Sequence, residues 1–193
     1  SDEIVPVDVT VRRKTTVVET DEYPRQDATL ESLAKMRAAF KKEGTVTAGN
    51  SSGVNDGGAA ILVASQAAVD QHLLNPVAEL VSYAQVGVDP TIMGLGPVPA
   101  IKQALAKANL KFSDIELLEL NEAFAAQALG VMKQLCAEHD EDLDNLKQRT
   151  NVNGGAIALG HPLGASGNRI IVTLIHEMKK RGNKLGLASL CIG

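Results

Sequence analysis

Asn151-Val-Asn-Gly-Gly-Ala-Ile-Ala-Leu-Gly-His-Pro-Leu-Gly-Ala-Ser-Gly167 opens a run that continues, without interruption, to Ile192. Residues 152–159 predict a short strand flanked by glycines, 160–167 a loop, 168–181 an amphipathic helix and 185–192 a further strand. Gly182 suits the helix C-cap, and Lys179, Lys180 and Arg181 stand where cations complement the negative end of the helix dipole. Strand, loop, helix, strand is the unit from which parallel sheets are built.

The same alternation extends backwards. Residues 98–108 predict a helix with Pro97 at its first turn, 114–120 a strand ending at Asn121, and 122–138 a helix. Residues 78–86 predict a strand and 66–74 a helix; the all-apolar run 59–65 fits either a buried strand or a helix start. Upstream, the Val- and Thr-rich segment 4–18 predicts one or two extended strands, and Asp21 to Arg25 a turn. Thr29 caps a predicted helix over 30–42, which Gly44 ends. The polar, glycine-rich loop 47–58 sets a domain boundary, giving 1–54 and 55–193. An α/β fold with a layered, mostly parallel sheet is expected.

Composition narrows the function classes. Apolar residues make up 45% and charged residues 22%, the balance of an ordinary globular chain, while aromatics at 3% leave the core to Ala, Val, Ile and Leu. The net charge of −4 and the short Arg12-Arg13-Lys14 run argue against nucleic-acid binding. No apolar span reaches membrane-crossing length, and the start has neither the basic nor the apolar part of a signal peptide, so no membrane partner is expected. Cys136 and Cys191 form neither a disulfide framework nor a metal-ligand spacing, which favours a reducing compartment and no metal. The acidic run 138–144 reads as a solvated loop or helix tip.

In parallel α/β folds ligands gather at the carboxyl ends of strands. Asn121, His161 and Cys191 all fall at such ends. His161, among three glycines and a proline, can approach a ligand closely, and the helix start after it offers free N–H groups to an anion; a turn histidine that merely packs fits the spacing equally well. Cys191 reads either as a substrate-facing thiol or as a small buried side chain. Cys136, in mid-helix, reads as packing, and His72, His139 and His176 as helix-surface residues.

Asn121-Glu-Ala-Phe124, the long block 151–167 and Leu190-Cys-Ile-Gly193 resemble, in order and context, the three C-terminal signature blocks of thiolases. Thr45-Val-Thr-Ala-Gly-Asn-Ser-Ser-Gly-Val-Asn-Asp-Gly57 resembles that family's coenzyme A loop. The likeness covers nearly the whole chain. It implies a thiolase-like C-terminal core domain (55–193) preceded by the end of a loop domain (1–54). The activity implied is reversible Claisen condensation of two acetyl-CoA to acetoacetyl-CoA and CoA, with the thioester as substrate and no further cofactor. His161 would activate an acyl-accepting cysteine and help hold a thioester oxygen. Cys191 would exchange the proton of the acetyl methyl group. Asn121 would position a water, and Gly193 would contribute a backbone N–H to an oxyanion hole. Arg25 and Ser32 would contact the nucleotide, Ala48, Ser52, Ala123 and Phe124 would line the pantetheine tunnel, and Met93 would border the acyl pocket.

Two departures from the family pattern accompany the likeness. The nucleophilic cysteine belongs to an N-terminal half with no counterpart here, which would be the chain's partner, and the sequence ends at Gly193 where the family continues into a glycine turn. The segment 127–151 is longer than in compact bacterial-type members. The 193-residue chain alone is therefore expected to be inactive and to leave an apolar sheet face exposed. The wording around Met93 favours a short-chain thiolase over a longer-chain 3-ketoacyl-CoA thiolase; a noncatalytic acyl-CoA-binding module is the reading from another class. The resemblance implies dimers or tetramers, and a cytoplasmic location with mitochondrion and peroxisome as alternatives.

Overall fold

A computed structural model describes residues 3–192; the expectation for Gly193 lies outside them. The chain opens with an antiparallel hairpin, β1 (Val7–Val11) and β2 (Lys14–Val18), in register from Val7↔Val18 to Val11↔Lys14. Arg12 and Arg13 connect the strands with φ of 48° and 67°, the pair of positive values that a two-residue I′ turn requires. Helix α1 (Leu30–Ala34) is shorter than the predicted 30–42. It ends because residues 38 and 39 bond instead to the returning loop, through the Ala38↔Thr47 bridge and the Ala39 N–H on the Val46 carbonyl.

Beyond α2 (Gln66–His72) the chain runs without regular secondary structure to a 3₁₀ segment, Pro90–Leu95. The strand predicted over 78–86 does not form. Its backbone is tied to the following helix α3 (Pro97–Ala108) by side chains instead: Ser82 donates to the Ala104 carbonyl, and Lys107 to that of Tyr83. A strand needs a second backbone alongside, and none of the described residues supplies one. Leu62, Val63, Leu80 and Tyr83 are consequently more than 70% exposed. Residues 59–65 are likewise neither strand nor helix.

The site rests on the rest of the chain. Strand β3 (Leu117–Leu120) pairs in parallel with β4 (Gly186–Ser189), from Leu117↔Gly186 to Leu120↔Ser189. On its other edge β3 meets residues 149–151: the Leu118 N–H donates to the Arg149 carbonyl, and the Asn151 N–H to that of Leu118. The predicted strand 152–159 is thus displaced. Asn151, with φ 49°, and Gly154, with φ 94°, turn the chain away from the sheet into the short helix α6 (Ala156–Leu159).

Alternation along β3 sorts its neighbours. Leu118 and Leu120 join Val98, Ile101 and Leu105 of α3, Val131 and Leu135 of α4 (Ala125–His139), and Leu146 of α5 (Leu143–Gln148) in one buried cluster. Leu117, Glu119 and Asn121 take the opposite face, where α7 (Ser166–Arg181) packs with Ile170 and Leu174 inward. Each fully buried Leu, Ile or Val contributes about 1.5–3 kcal/mol, so this small sheet is held mainly by its two helical layers. α7 lies so close to β4 that a Cβ on Gly186 would stand 2.4 Å from the Met178 sulfur. Helices on both faces of a parallel sheet are the α/β arrangement expected.

The acidic run is the expected solvated helix tip, with Glu138, Asp140, Asp142 and Asp144 exposed, and some of its carboxylates also make local bonds. Asp142 caps α5 by accepting from the Asp144 and Asn145 N–H groups, and Glu141 pairs with Arg149 at 2.7 Å. Arg149 also donates to the Ile115 carbonyl and lies over the Phe112 ring, against which His139 stacks from 4.7 Å. No helix among the described residues is long and apolar enough to cross a membrane.

Candidate active site

His161 sits in the turn between α6 and α7. Gly160, just before it, has φ 96° and ψ 160°, a conformation that a side chain would strain, and a Cβ there would also meet Asn55 at 2.9 Å. The freed space admits the Asn55 amide, whose Oδ1 accepts the His161 N–H at 3.0 Å. Arg169 of α7 donates to the Gly160 carbonyl at 3.2 Å. Backbone on both sides of the imidazole is therefore fixed by side chains distant in sequence.

His161 is 8% exposed, and its Nδ1 lies 2.6 Å from the Ser166 Oγ. Ser166 Oγ also lies 3.0 Å from the Pro162 carbonyl, to which it can donate its one proton, although the Ala165 and Ser166 N–H groups already donate there at 2.8 Å. With the hydroxyl proton on Pro162, Nδ1–H donates to Oγ and the neutral ring keeps its lone pair on Nε2, the arrangement that the Asn121 Nδ2 donor facing Nε2 also suits. That lone pair faces the Asn121 Nδ2 at 3.5 Å, a long approach that leaves it open to a reacting proton. Burial also pushes the His161 pKa below its usual 6.5, so the ring is neutral near pH 7 and able to act as a base.

Asn121 follows directly on β3, and its N–H donates to the Ser189 carbonyl at 3.0 Å. Cys191 lies two residues beyond Ser189, so the amide and the thiol leave the carboxyl ends of neighbouring parallel strands. Cys191 is half-buried and unbridged, and burial pushes its thiol above the ordinary range, keeping it protonated at neutral pH. Asn121 and His161, 40 residues apart, are in side-chain contact; Cys191 shares with Asn121 the end of the sheet.

The remaining predicted residues divide between two places. The loop carrying Ser52 docks on the segment after Asn121: the Ser52 N–H donates to the Ala123 carbonyl and the Ala125 N–H to that of Asn50, both at 2.9 Å, around the Ser51↔Phe124 bridge. Phe124 meets Phe40 edge-on at 6.1 Å. Next to exposed Ala48, Gly49 packs against Leu33 and Met36, which brings the end of α1 to the same loop. Ser32 is exposed on α1, where it closes a capping box with Thr29, and Arg25 is exposed in the preceding turn. Met93, 37% exposed, belongs to the 3₁₀ segment that packs on α4, where Gly94 faces Gln127.

Four residues that the sequence reading did not single out complete the site: Asn55, Ser166, Asn151 and Glu119. Asn151 extends the edge of β3 with its side chain, Oδ1 accepting from the Leu120 N–H at 2.8 Å and Nδ2 donating to the Leu120 carbonyl at 2.7 Å. This pair fixes the residue directly before Asn121. Glu119 stands two residues before Asn121 on the same face of β3, 4% exposed, and its Oε1 has no hydrogen-bond partner. Burial pushes its carboxyl up to about 7, with Arg169 opposing and Glu3, Glu122 and Glu177 reinforcing the rise. A carboxylate among leucines, in Leu117-Leu-Glu-Leu120, was the signal available for it. Among the described residues no group of three or more His, Cys, Asp and Glu side chains is placed to hold a metal ion.

The chain is similar to known proteins. A family described as "Thiolase, C-terminal domain" matches residues 74–193, and "Thiolase, N-terminal domain" matches 1–67. The chain is 55% identical over 193 residues to an acetyl-CoA acetyltransferase of Chromobacterium violaceum, matching all of this chain and 47% of that one. It is 52% identical to a mitochondrial 3-ketoacyl-CoA thiolase of Bos taurus, over 99% of this chain and 46% of that one. The crystal structure of the Bacillus anthracis acetyl-CoA acetyltransferase superposes with a TM-score of 0.89 at 49% identity, over all of this chain and 47% of that one. The chain thus spans about half the length of the curated relatives it matches, 47% in the first case above. A histidine with its base lone pair held open against Asn121, the signature blocks around both, and these likenesses lead to one conclusion: the chain belongs to the thiolase family.

Proposed function

We propose that residues 1–193 contribute the acid/base part of a thiolase active site, whose reaction is reversible Claisen condensation of two acetyl-CoA to acetoacetyl-CoA and CoA. The observation that carries this reading is the His161 ring, held neutral with Nε2 available, against Asn121 at the carboxyl end of β3. In the first half-reaction Nε2 takes the proton of an acyl-accepting cysteine on a companion segment. The thiolate adds to the thioester carbonyl, and CoA departs as the thiol, carrying that proton away. In the second, the Cys191 thiol passes its proton to His161, neutral again once CoA has left, and the resulting thiolate takes a proton from the methyl group of a second acetyl-CoA. The carbon so formed attacks the acyl-enzyme, and the thiolate released from the nucleophile recovers the proton held by His161. Donors aimed at the enolate oxygen lower this barrier, the role proposed for a water held by Asn121 and for the Gly193 N–H. With its pKa raised, the resting Cys191 thiol suits the reverse direction, in which it protonates the departing acetyl carbon.

In this reading residues 1–54 close a loop domain over the coenzyme and 55–193 form the core domain. Ala48, Ser52, Ala123 and Phe124 line the pantetheine path, which the bonding of Ser52 to Ala123 supports. Arg25 and Ser32 reach the nucleotide, and Met93 borders the acyl group. The complete enzyme would be a dimer or tetramer in the cytoplasm, with mitochondrion or peroxisome as alternatives; light scattering and imaging of the tagged protein decide both points.

The test is a chimera in which residues 1–193 replace the matching segment of the 55% identical relative. It is expected to cleave acetoacetyl-CoA with CoA, while His161→Ala loses roughly 100-fold or more. CoA binding without turnover would instead favour the noncatalytic module. Faster cleavage of longer 3-ketoacyl-CoAs would favour the longer-chain thiolase, which the similarity to the bovine protein keeps as a second reading. The 193-residue chain alone is expected to be inactive, and turnover by it would refute the division of labour.

A further inference from the structure

The Glu119 carboxyl is not used by the reaction described above, yet it lines the same cavity as Ser166, the partner of the proposed base. Glu119, Asn121, Asn151, Asn153, Ser166 and Arg169, with exposed Glu3 at the rim, line one cavity of about 20 Å³ between β3, α6 and α7. That volume admits a single water, and the lining is polar enough to bind one. The Glu119 Oε1 is an orphan acceptor in a residue 96% shielded from solvent, the kind of group that native structures pair with ordered water.

The hydrogen-bonding capacities match. Ser166 Oγ accepts from His161 Nδ1 and donates to Pro162, which leaves one lone pair unused. A water here can donate one proton to Glu119 Oε1 and the other to that lone pair, while amide or guanidinium N–H groups in the lining supply its acceptor side.

We propose that this cavity holds one ordered water anchored by Glu119, and that through it Glu119 acts as a positioning residue for the Ser166–His161 pair. The inference rests on the functional reading above for its kinetic consequence, and on geometry alone for the water. With the water in place, Ser166 Oγ is fixed on all its hydrogen-bonding sides and cannot rotate its proton towards the imidazole. Without its anchor the hydroxyl can turn, donate to Nδ1 and shift the ring proton to Nε2, which removes the base.

Three measurements decide it. A crystal structure of the chain at atomic detail is expected to show the water between Glu119 and Ser166, and a dry cavity overturns the proposal. In ¹⁵N-labelled chain, Glu119→Met is expected to move the His161 ring shifts towards a mixture of tautomers; unmoved shifts overturn it. In the chimera, Glu119→Met is expected to lower kcat roughly 10–100-fold with KM for CoA within about twofold, by analogy with the loss when a partner that orients a metal-bound histidine is removed. Glu119→Gln, which keeps an acceptor for the water, is expected to restore kcat to within about threefold of the parent. Equal losses in the two variants, or none in Met, count against the proposal. An inactive parent chimera would sink the functional reading and leave the crystallographic and ¹⁵N results to decide this one. Should Glu119→Met not fold, the parent's water and the Gln variant carry the test.

Discussion

Replacing Ser166 by Ala tests the argument on which the base assignment stands. Ser166 is 2% exposed, and its Oγ is the acceptor for the His161 Nδ1–H at 2.6 Å. Losing the hydroxyl costs the Pro162 carbonyl little, because the Ala165 and Ser166 N–H groups both still donate to it at 2.8 Å. The cost falls on the imidazole, whose buried N–H loses its partner, a penalty of about 1–3 kcal/mol. The same energy ceases to favour the Nδ1–H tautomer, and at about 1.4 kcal/mol per tenfold that is roughly a 5–140-fold loss of preference. Urea unfolding followed by circular dichroism should show a lowered midpoint with an unchanged slope. The ¹⁵N shifts of the ring should move together, and kcat in the chimera should fall by a similar factor with little change in KM. A variant with the parent's midpoint and unmoved ring shifts would refute the assignment of the proton to Nδ1.

Asn151→Ala removes both bonds to Leu120 and should destabilise the chain by about 1–3 kcal/mol, read as a lowered urea midpoint. Arg149→Met leaves Glu141 half-buried without its cation and strips the Ile115 carbonyl of a donor; a loss of about 2–4 kcal/mol is expected in the same assay, and under 0.5 kcal/mol would show the pair to be ornamental. The raised carboxyl of Glu119 makes stability depend on pH. Its folded-state pKa of about 7 exceeds the ordinary 4.5, so the folded chain binds more protons between those values. The contribution is full below about pH 4.5 and is lost as pH rises through 7, about 3 kcal/mol in all. The lowered pKa of His161 works in the opposite sense, removing stability as pH falls below 6.5, and it cancels when parent and Glu119→Gln are compared. The difference between those two in unfolding free energy should therefore change between pH 5 and pH 8, and parallel curves would count against a buried carboxylic acid.

Signals that act within a few residues were read well. Pro97 starts α3, Gly182 ends α7 with φ 75°, and Thr29 caps α1, each through chemistry contained in one turn of backbone. Elements whose formation depends on a neighbour were read less well. Residues 78–86 carry a strand's composition but form no ladder, and the stretch after Asn151 leaves the sheet although its apolar pattern continues.

What the sequence determined by itself was therefore the α/β alternation, most helix ends and the blocks that place the chain among thiolases, because periodicity, capping and motif order are properties of the chain read in line. Tertiary structure alone decided that Asn121 meets His161 across 40 residues, that Asn151 stands in for a strand, and that the imidazole sits with Nδ1 against the Ser166 hydroxyl and Nε2 towards Asn121. Hydrogen bonds between residues far apart in sequence are fixed by how layers pack, and a buried proton takes whichever site its neighbours leave open.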